Sequence, residues 1–274
     1  MLDTILLFRD ALYGALVIAL VCSALGVYVV LRRIVFVGAA LAQLSTLGIA
    51  LSFWLAGVGV AGALTESPVI LSLIATLAGV LFFSTGTKRA QVPPDARIGV
   101  AYVVAGALAI LFIAKATAGE THDIFLQGNI LGITRGDWLT LLAVSVPVLL
   151  VHAVFYKEFL FISFDQETAR SLGYRVERWT LLLYLTIGLS IAFAMQFAGV
   201  MLVFDFLVLP AVTGLLLARG MAGVFAWAIG AGLAAAVAGF SLSIPFDLPT
   251  GPAIVAVSGA LVIVAWLLRR VRER

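Results

Sequence analysis

Nine apolar runs divide this 274-residue chain, at 10–31, 34–57, 67–86, 98–117, 137–155, 179–197, 199–218, 221–243 and 251–268. Each approaches or exceeds the roughly 20 residues a helix needs to cross a bilayer. Inside hydrocarbon the backbone must satisfy its own N–H and C=O groups, so such runs fold as helices. Only 11% of the residues are charged, where a soluble domain carries about a quarter. The expectation is an all-α, polytopic membrane protein of about nine spans, a single transmembrane domain over residues 1–274. The runs 179–197 and 199–218 are almost contiguous. If they form one kinked pair about Gln196 and Gly199, the count falls to eight. Residues 124–135, IFLQGNILGITR, are apolar but too short to span, and read as re-entrant or interfacial.

The net charge of +3 is not a nucleic-acid signal, because the basic residues sit at the ends of apolar runs. Fourteen of seventeen fall on one side of the nine-span arrangement: Arg32, Arg33, Lys88, Arg89, Arg97, Lys157, Arg170, Arg175, Arg178, Arg219, Arg269, Arg270, Arg272 and Arg274. Arg9, Lys115 and Arg135 fall on the other. The positive-inside rule then places the C-terminus in the cytoplasm and the N-terminus outside. The opening residues, MLDTILLFRDALYG, lack a basic n-region and a cleavage site, and read as the start of the mature protein. Cys22 is the sole cysteine, which rules out an intrachain disulfide. Trp54, Trp138, Trp179, Trp227 and Trp266 lie mostly near run ends, as interfacial anchors do.

The most polar run, ISFDQETARSLGYRVER at 162–178, lies in the longest connection on the basic side. Ser163 with Gln166 three residues on fits a capping box. Asp165 and Glu167 suit the positive end of a helix dipole. Arg170 follows Glu167 at a spacing that permits an ion pair. Gly173 is placed to end the helix in the left-handed conformation. A helix of about two and a half turns is expected over 163–173, with Phe164, Ala169 and Leu172 as its apolar contacts. So short a helix is not stable alone in water, so it must pack against something.

Polar groups within the runs are few. Asp205 is an intramembrane carboxylate, which marks either an ion route or a buried hydrogen bond to a neighbouring span. Pro210 follows five residues later and frees backbone groups nearby. Gln43 lies near the middle of the second run and shares a face with Thr46, with Ser45 beside it. Glu120, His122 and Asp123 stand together in a loop on the outer side. They read as a solvated loop or as weak candidates for a cation contact. His152 lies near the end of the fifth run and reads as interfacial. Ala222, Ala226, Gly230, Ala234 and Ala238 put a small residue at every fourth position, a stripe that allows close helix packing. No G-x-x-x-x-G-K-[ST] occurs, so the chain carries no P-loop. No H-E-x-x-H or pair of intramembrane acids supports a membrane enzyme. A stand-alone carrier would place more ionisable residues in its spans than one Asp.

Several segments, in order, resemble one family. SFDQETARSLGY, QFAGVMLVFDFLVLPAVTGLLLARG and DLPTGPAIVAVSGA are similar to the membrane permease subunits of bacterial zinc, manganese and iron ABC importers. GVYVVLRRIVFVGAALAQLSTLGIAL and FLQGNILGI agree, so the resemblance covers essentially the whole chain. It implies that Ser163, Phe164, Asp165, Gln166, Glu167, Ala169, Arg170, Leu172 and Gly173 form a coupling helix that docks on a separate cytoplasmic ATPase. It further implies two permease copies, two ATPase copies, an extracytoplasmic binding protein, and residence in the bacterial inner membrane. This chain would then be a transport subunit without a cofactor of its own, ATP being used by its partner. Asp205, Gln43 and Thr46 become candidates for the translocation path, and Asp205, Glu120, His122 and Asp123 weak candidates for metal contact. The sequence departs from the family at two places, one of them Asp205, where relatives more often show a small or apolar residue. Many relatives read G-D-A-L-S-H where this chain reads Gly38-Ala39-Ala40-Leu41-Ala42-Gln43. The acid and the imidazole are both absent, and Gln is a poor zinc ligand. Zinc or manganese is the expected cargo, with a metal chelate as the alternative.

Overall fold

The computed structural model describes residues 8–60, 62, 67–84, 94–116 and 130–272. Ten α-helices and one short 3₁₀ turn make up its regular structure, and no strand occurs among the described residues. The helices are α1 (Arg9–Leu31), α2 (Val35–Gly57), α3 (Pro68–Ser84), α4 (Pro94–Lys115), α5 (Arg135–Val154), α6 (Tyr156–Phe164), α7 (Gln166–Ser171), α8 (Val176–Leu217), α9 (Met221–Ser243) and α10 (Thr250–Arg272). Seven of these are long and apolar enough to cross a membrane, and α3 is a shorter apolar helix. One hydrophobic cluster draws residues from all ten helices. Within it α1 is central, burying Ala15, Ile18, Cys22, Leu25 and Tyr28 almost completely. The peripheral helices turn large apolar side chains outward, among them Val103, Ile110 and Leu111 of α4 and Ile263, Val264 and Leu267 of α10. That distribution suits a bilayer, where the solvent is as apolar as the core.

The 42-residue α8 is two spans, not one. Arg32, at the end of α1, donates from Nη2 to Thr180 Oγ1 at 3.0 Å. Gly26, about 9 Å from Arg32 along α1, lies against the backbone of Leu207. A straight helix would hold Thr180 and Leu207 about 40 Å apart, too far for both contacts. At the far end of α8, Leu215 and Ala218 pack with Val30 and Leu31, again at the Arg32 end of α1. The chain therefore folds back on itself, and it does so at Gly199, whose φ of 70° and ψ of 168° break the helix. That backbone conformation is essentially open to glycine alone. The first arm, 176–198, runs away from the arginine-rich end, and the second, 200–217, returns to it. The hairpin needs no loop residues, so each of the nine apolar runs occupies its own helix or helix arm.

The second arm descends beside α1, in contact with Gly26. A Cβ there would sit 2.2 Å from the Leu207 carbonyl oxygen, so only glycine permits the contact. The same arm runs parallel to α10: Asp205 meets Ser258, and Leu217 meets Arg272. The small-residue stripe on α9 packs against no other helix of this chain among the described residues. Ala222, Ala226, Gly230, Ala234 and Ala238 all face outward. The packed face is offset by about half a turn, through Val224, Ala228, Gly232, Ala235 and Gly239. An Ala- and Gly-rich helix has small residues on every side, so their spacing does not reveal which side packs. Of the segment 124–135, residues 130–135 are described. Ile130–Gly132 forms the 3₁₀ turn, and Ile133 is buried against Gly14 of α1.

Candidate translocation cleft and coupling helix

Three elements frame a cleft of about 530 Å³: the basic-end halves of α2 and α4 and the second arm of α8. Phe36, Ala39, Tyr102, Val103, Met201 and Phe204 are among its lining residues. Its wall is mainly apolar. Ala39 stands one turn from Gln43 on α2, as Tyr102 stands one turn from Gly106 on α4. The Gln43 amide lies in the space that a Cβ on Gly106 would approach at 3.3 Å. Gln43 thus crosses from α2 to α4 at the inner end of the cleft, where a Cβ at 106 would make its amide give way by a few tenths of an ångström.

The other candidates lie elsewhere. Thr46 is buried and its hydroxyl donates to the Ala42 carbonyl within α2 at 3.1 Å. Ser45 is 2.7 Å from Ser72 of α3, a tie between helices. Asp205 is 2% exposed and accepts a hydrogen bond from Ser258 Oγ at 2.8 Å through Oδ2. Its Oδ1 is buried without a hydrogen-bond partner among the described residues. Asp205 reaches Ser258 of α10 and is not among the residues that line the cleft. Glu120, His122 and Asp123 lie outside the described residues. Among the described residues no three His, Cys, Asp or Glu side chains gather as a metal cluster.

At the arginine-rich end, the segment 156–174 differs from the single helix expected over 163–173. The chain stays helical after α5 and forms α6, then breaks at Asp165 and starts the six-residue α7. Ser163 is not the cap. It sits in the last turn of α6, and its hydroxyl donates to the Phe159 carbonyl at 2.6 Å, the back-bonding a Ser adopts inside a helix. Asp165 caps instead, its Oδ1 accepting from the N–H groups of Glu167 at 3.1 Å and Thr168 at 3.0 Å. A carboxylate satisfies two orphan donors with charge-assisted bonds, which a hydroxyl cannot match. The Thr168 hydroxyl also donates to this carboxylate and, with the backbone donors, holds the Asp165 pKa below the ordinary range.

Gly173 ends α7 as expected, at φ 87°. The Tyr174 N–H reaches back to the Ala169 carbonyl and the Gly173 N–H to the Arg170 carbonyl, the bond pair of a Schellman motif. Arg170 pairs with Glu177 of α8 at 2.8 Å rather than with Glu167. Both side chains are largely exposed, so the bond is worth at most about 1 kcal/mol, but it ties α7 to the foot of α8. Ala169 is fully buried and anchors α7 inward. Phe164 and Leu172, 60% and 67% exposed, project outward with Gln166 and Glu167. Beside them a groove of about 500 Å³ is lined by Leu172, Tyr174, Arg175, Arg178 and Trp179. This is an apolar-plus-basic surface on the face where most arginines gather.

Sequence reasoning missed His152. It is 6% exposed, its Nε2 2.9 Å from Thr186 Oγ1 on the first arm of α8. The only signal was an imidazole inside an apolar run, and its partner lies on another helix.

Comparison with known proteins accords with this architecture. The chain is 30% identical to the manganese transport system membrane protein MntC of Listeria monocytogenes, over 94% of this chain and 89% of that protein. It is 29% identical to the manganese import system permease protein ScaB of Streptococcus gordonii, over 95% and 90%. Among solved structures it superposes on a chain of PsaBC from Streptococcus pneumoniae in complex with Fab. The TM-score is 0.84 at 26% identity, with 97% of this chain and 94% of that chain covered. A family model described as the ABC 3 transport family matches residues 4–269, and the chain belongs to that family.

Proposed function

We propose that this chain is the membrane permease of an ATP-driven importer and carries a divalent metal ion, manganese first, into the cell. The match to the transport family over almost the whole chain carries the reading. The two manganese-system relatives favour manganese over zinc. The chain has no P-loop, so ATP is hydrolysed by a separate ATPase that docks on α7 through Phe164 and Leu172. An extracytoplasmic binding protein delivers the ion, and two copies of this chain form the pore. The arginine-rich end is cytoplasmic by the positive-inside rule, which leaves the N-terminus outside and the C-terminus inside the bacterial inner membrane. The ion passes along the Ala39–Gln43 face of α2, across from Met201 and Phe204. A path this poor in ligands holds its ion weakly. That suits an importer whose affinity resides in the binding protein and whose permease alternates access.

One observation favours a second cargo. The cleft at Ala39 and Gln43 is mainly apolar, a surface better matched to a metal chelate than to a bare ion. The test is uptake of manganese, zinc and iron into vesicles holding this chain with its ATPase and binding protein, with and without ATP. ATP-dependent uptake of manganese supports the reading. ATPase stimulation by the loaded binding protein without uptake of any free ion refutes the bare-ion cargo and leaves the chelate.

A further inference from the structure

His152 joins four helices at one ring. It stands in the last turn of α5. Its imidazole stacks on Phe159 of α6, with centroids 4.4 Å apart and planes 16° from parallel. Tyr28 of α1 lies 5.0 Å away, centroid to centroid. Nε2 faces Thr186 Oγ1 on the first arm of α8 at 2.9 Å. The Thr186 hydroxyl donates its one hydrogen to the Leu183 carbonyl at 2.9 Å, so His152 Nε2 is the donor and Thr186 the acceptor. The other ring nitrogen, Nδ1, is buried and has no hydrogen-bond partner among the described residues. The ring also borders a cavity of about 220 Å³, lined with it by Tyr28, Leu149, Tyr156 and Phe225.

An unpaired buried ring nitrogen is unfavourable, so the ring is held by fewer directional bonds than it could make. Here one directional bond holds the ring to α8, one stack holds it to α6, and space lies beside it. The ring can shift with α6 without breaking a second hydrogen bond. The α6 helix is separated from α7 by Asp165 alone. The arm that carries Thr186 leads to Gly199, and from there to the cleft-lining Met201 and Phe204.

We propose that His152 is a positioning residue for energy coupling: it carries displacement of the α6–α7 segment, through Phe159 and Thr186, into the first arm of α8. The inference rests on the ATP-driven importer reading. A chain of contacts is not itself proof of coupling, so the test must read coupling directly. The full complex of permease, ATPase and binding protein is reconstituted in vesicles, and ATP hydrolysed per manganese ion taken up is measured. His152→Phe keeps the stack on Phe159 and loses the bond. Thr186→Val loses the same bond from the other side with little change in shape, and serves alone if His152→Phe does not fold. Each is expected to raise ATP consumed per ion about fivefold, the equilibrium factor of one buried hydrogen bond. The double variant should be no worse than either single one, because both remove one interaction. His152→Gln, which keeps an N–H donor, should restore part of the coupling. Variants that melt lower but consume the wild-type amount of ATP per ion overturn the inference and leave His152 a packing residue. A wild-type complex that shows neither ATP-dependent uptake nor ATPase stimulation by the loaded binding protein refutes the importer reading instead, and the inference with it.

Discussion

Replacing Gly199 by alanine attacks the hairpin at its one turning residue. At φ 70° and ψ 168° a residue with a Cβ is held in a conformation that costs of order 1–3 kcal/mol. No loop residue stands on either side to absorb the strain, since both neighbours are helical. For a chain of this size, about 2–4 °C of melting temperature is lost per kcal/mol. The apparent Tm of detergent-solubilised protein should fall by about 2 to 12 °C. Heating followed by size-exclusion detection of the surviving monodisperse peak reads this out. Gly230→Ala is the matched control. A Cβ at 230 meets nothing within 4 Å, and alanine in a helix interior is better than glycine by about 0.5–1 kcal/mol, so this variant should melt at or slightly above the wild type. If Gly199→Ala melts with the wild type while the control behaves as stated, the single-residue reversal is wrong, and with it the two-span reading of α8.

Gly26→Ala puts a methyl 2.2 Å from the Leu207 carbonyl oxygen and should cost about 1–3 kcal/mol by overpacking. The same melting assay checks it, and an unchanged Tm would show that α1 and the second arm can separate freely. Asp205→Asn keeps an acceptor for Ser258 and should retain ATP-dependent uptake, whereas loss of uptake at an unchanged Tm would put Asp205 on the ion route. Asp165→Ala removes the α7 cap and should weaken ATPase binding, measured by pull-down of the purified ATPase on permease vesicles, while Asp165→Asn should keep most of it. The folded pKa of Asp165 is depressed by Thr168, so its capping contribution is present above the unfolded value of about 3.9 and lost only as pH falls through the lower folded value. ATPase binding should therefore show no Asp165-dependent step between about pH 5 and 8, and a step in that range absent from Asp165→Asn would refute the cap.

The helices were legible because bilayer thickness imposes a length that composition alone reveals. The run 34–57 became Val35–Gly57, and 221–243 became Met221–Ser243. The adjacency of 197 and 199 was readable too, but whether it meant a kink or a reversal depends on φ and ψ at Gly199, which contacts with α1 decide. Direction within a helix was harder. On α9 the small residues recur on every face, so periodicity could not say that 222, 226 and 230 face outward. At α7 the sequence reading puts the cap at Ser163, and the structure puts it two residues on at Asp165. The choice turns on whether α6 continues from the fifth span, which is a matter of packing around Phe159 and Ile162. The site was legible in what it lacks, the acid and imidazole at Ala39 and Gln43. It was not legible in how Asp205 is aimed, because the side chain one position before it, Phe204, lines the cleft while Asp205 is turned to α10.

The placement of α8 bears on how a partner's motion would reach the cleft. Its foot is tied to α7 by the Arg170–Glu177 pair, and Thr186 in its first arm is bonded to His152. Its turn is a residue without a Cβ, and its second arm supplies Met201 and Phe204 to the cleft. The helix α7 and the cleft wall are thus linked through α8, whose two arms meet at one glycine. A rigid connection would move the cleft wall in step with α7, whereas a glycine hinge lets the two arms change their angle. The two cases separate experimentally. If Gly199→Ala, expressed at a temperature where it folds, lowers the uptake rate while leaving ATPase binding unchanged, then flexing at the turn is part of transport. If uptake per folded complex matches the wild type, the arms move as one body and Gly199 serves only to let the chain reverse.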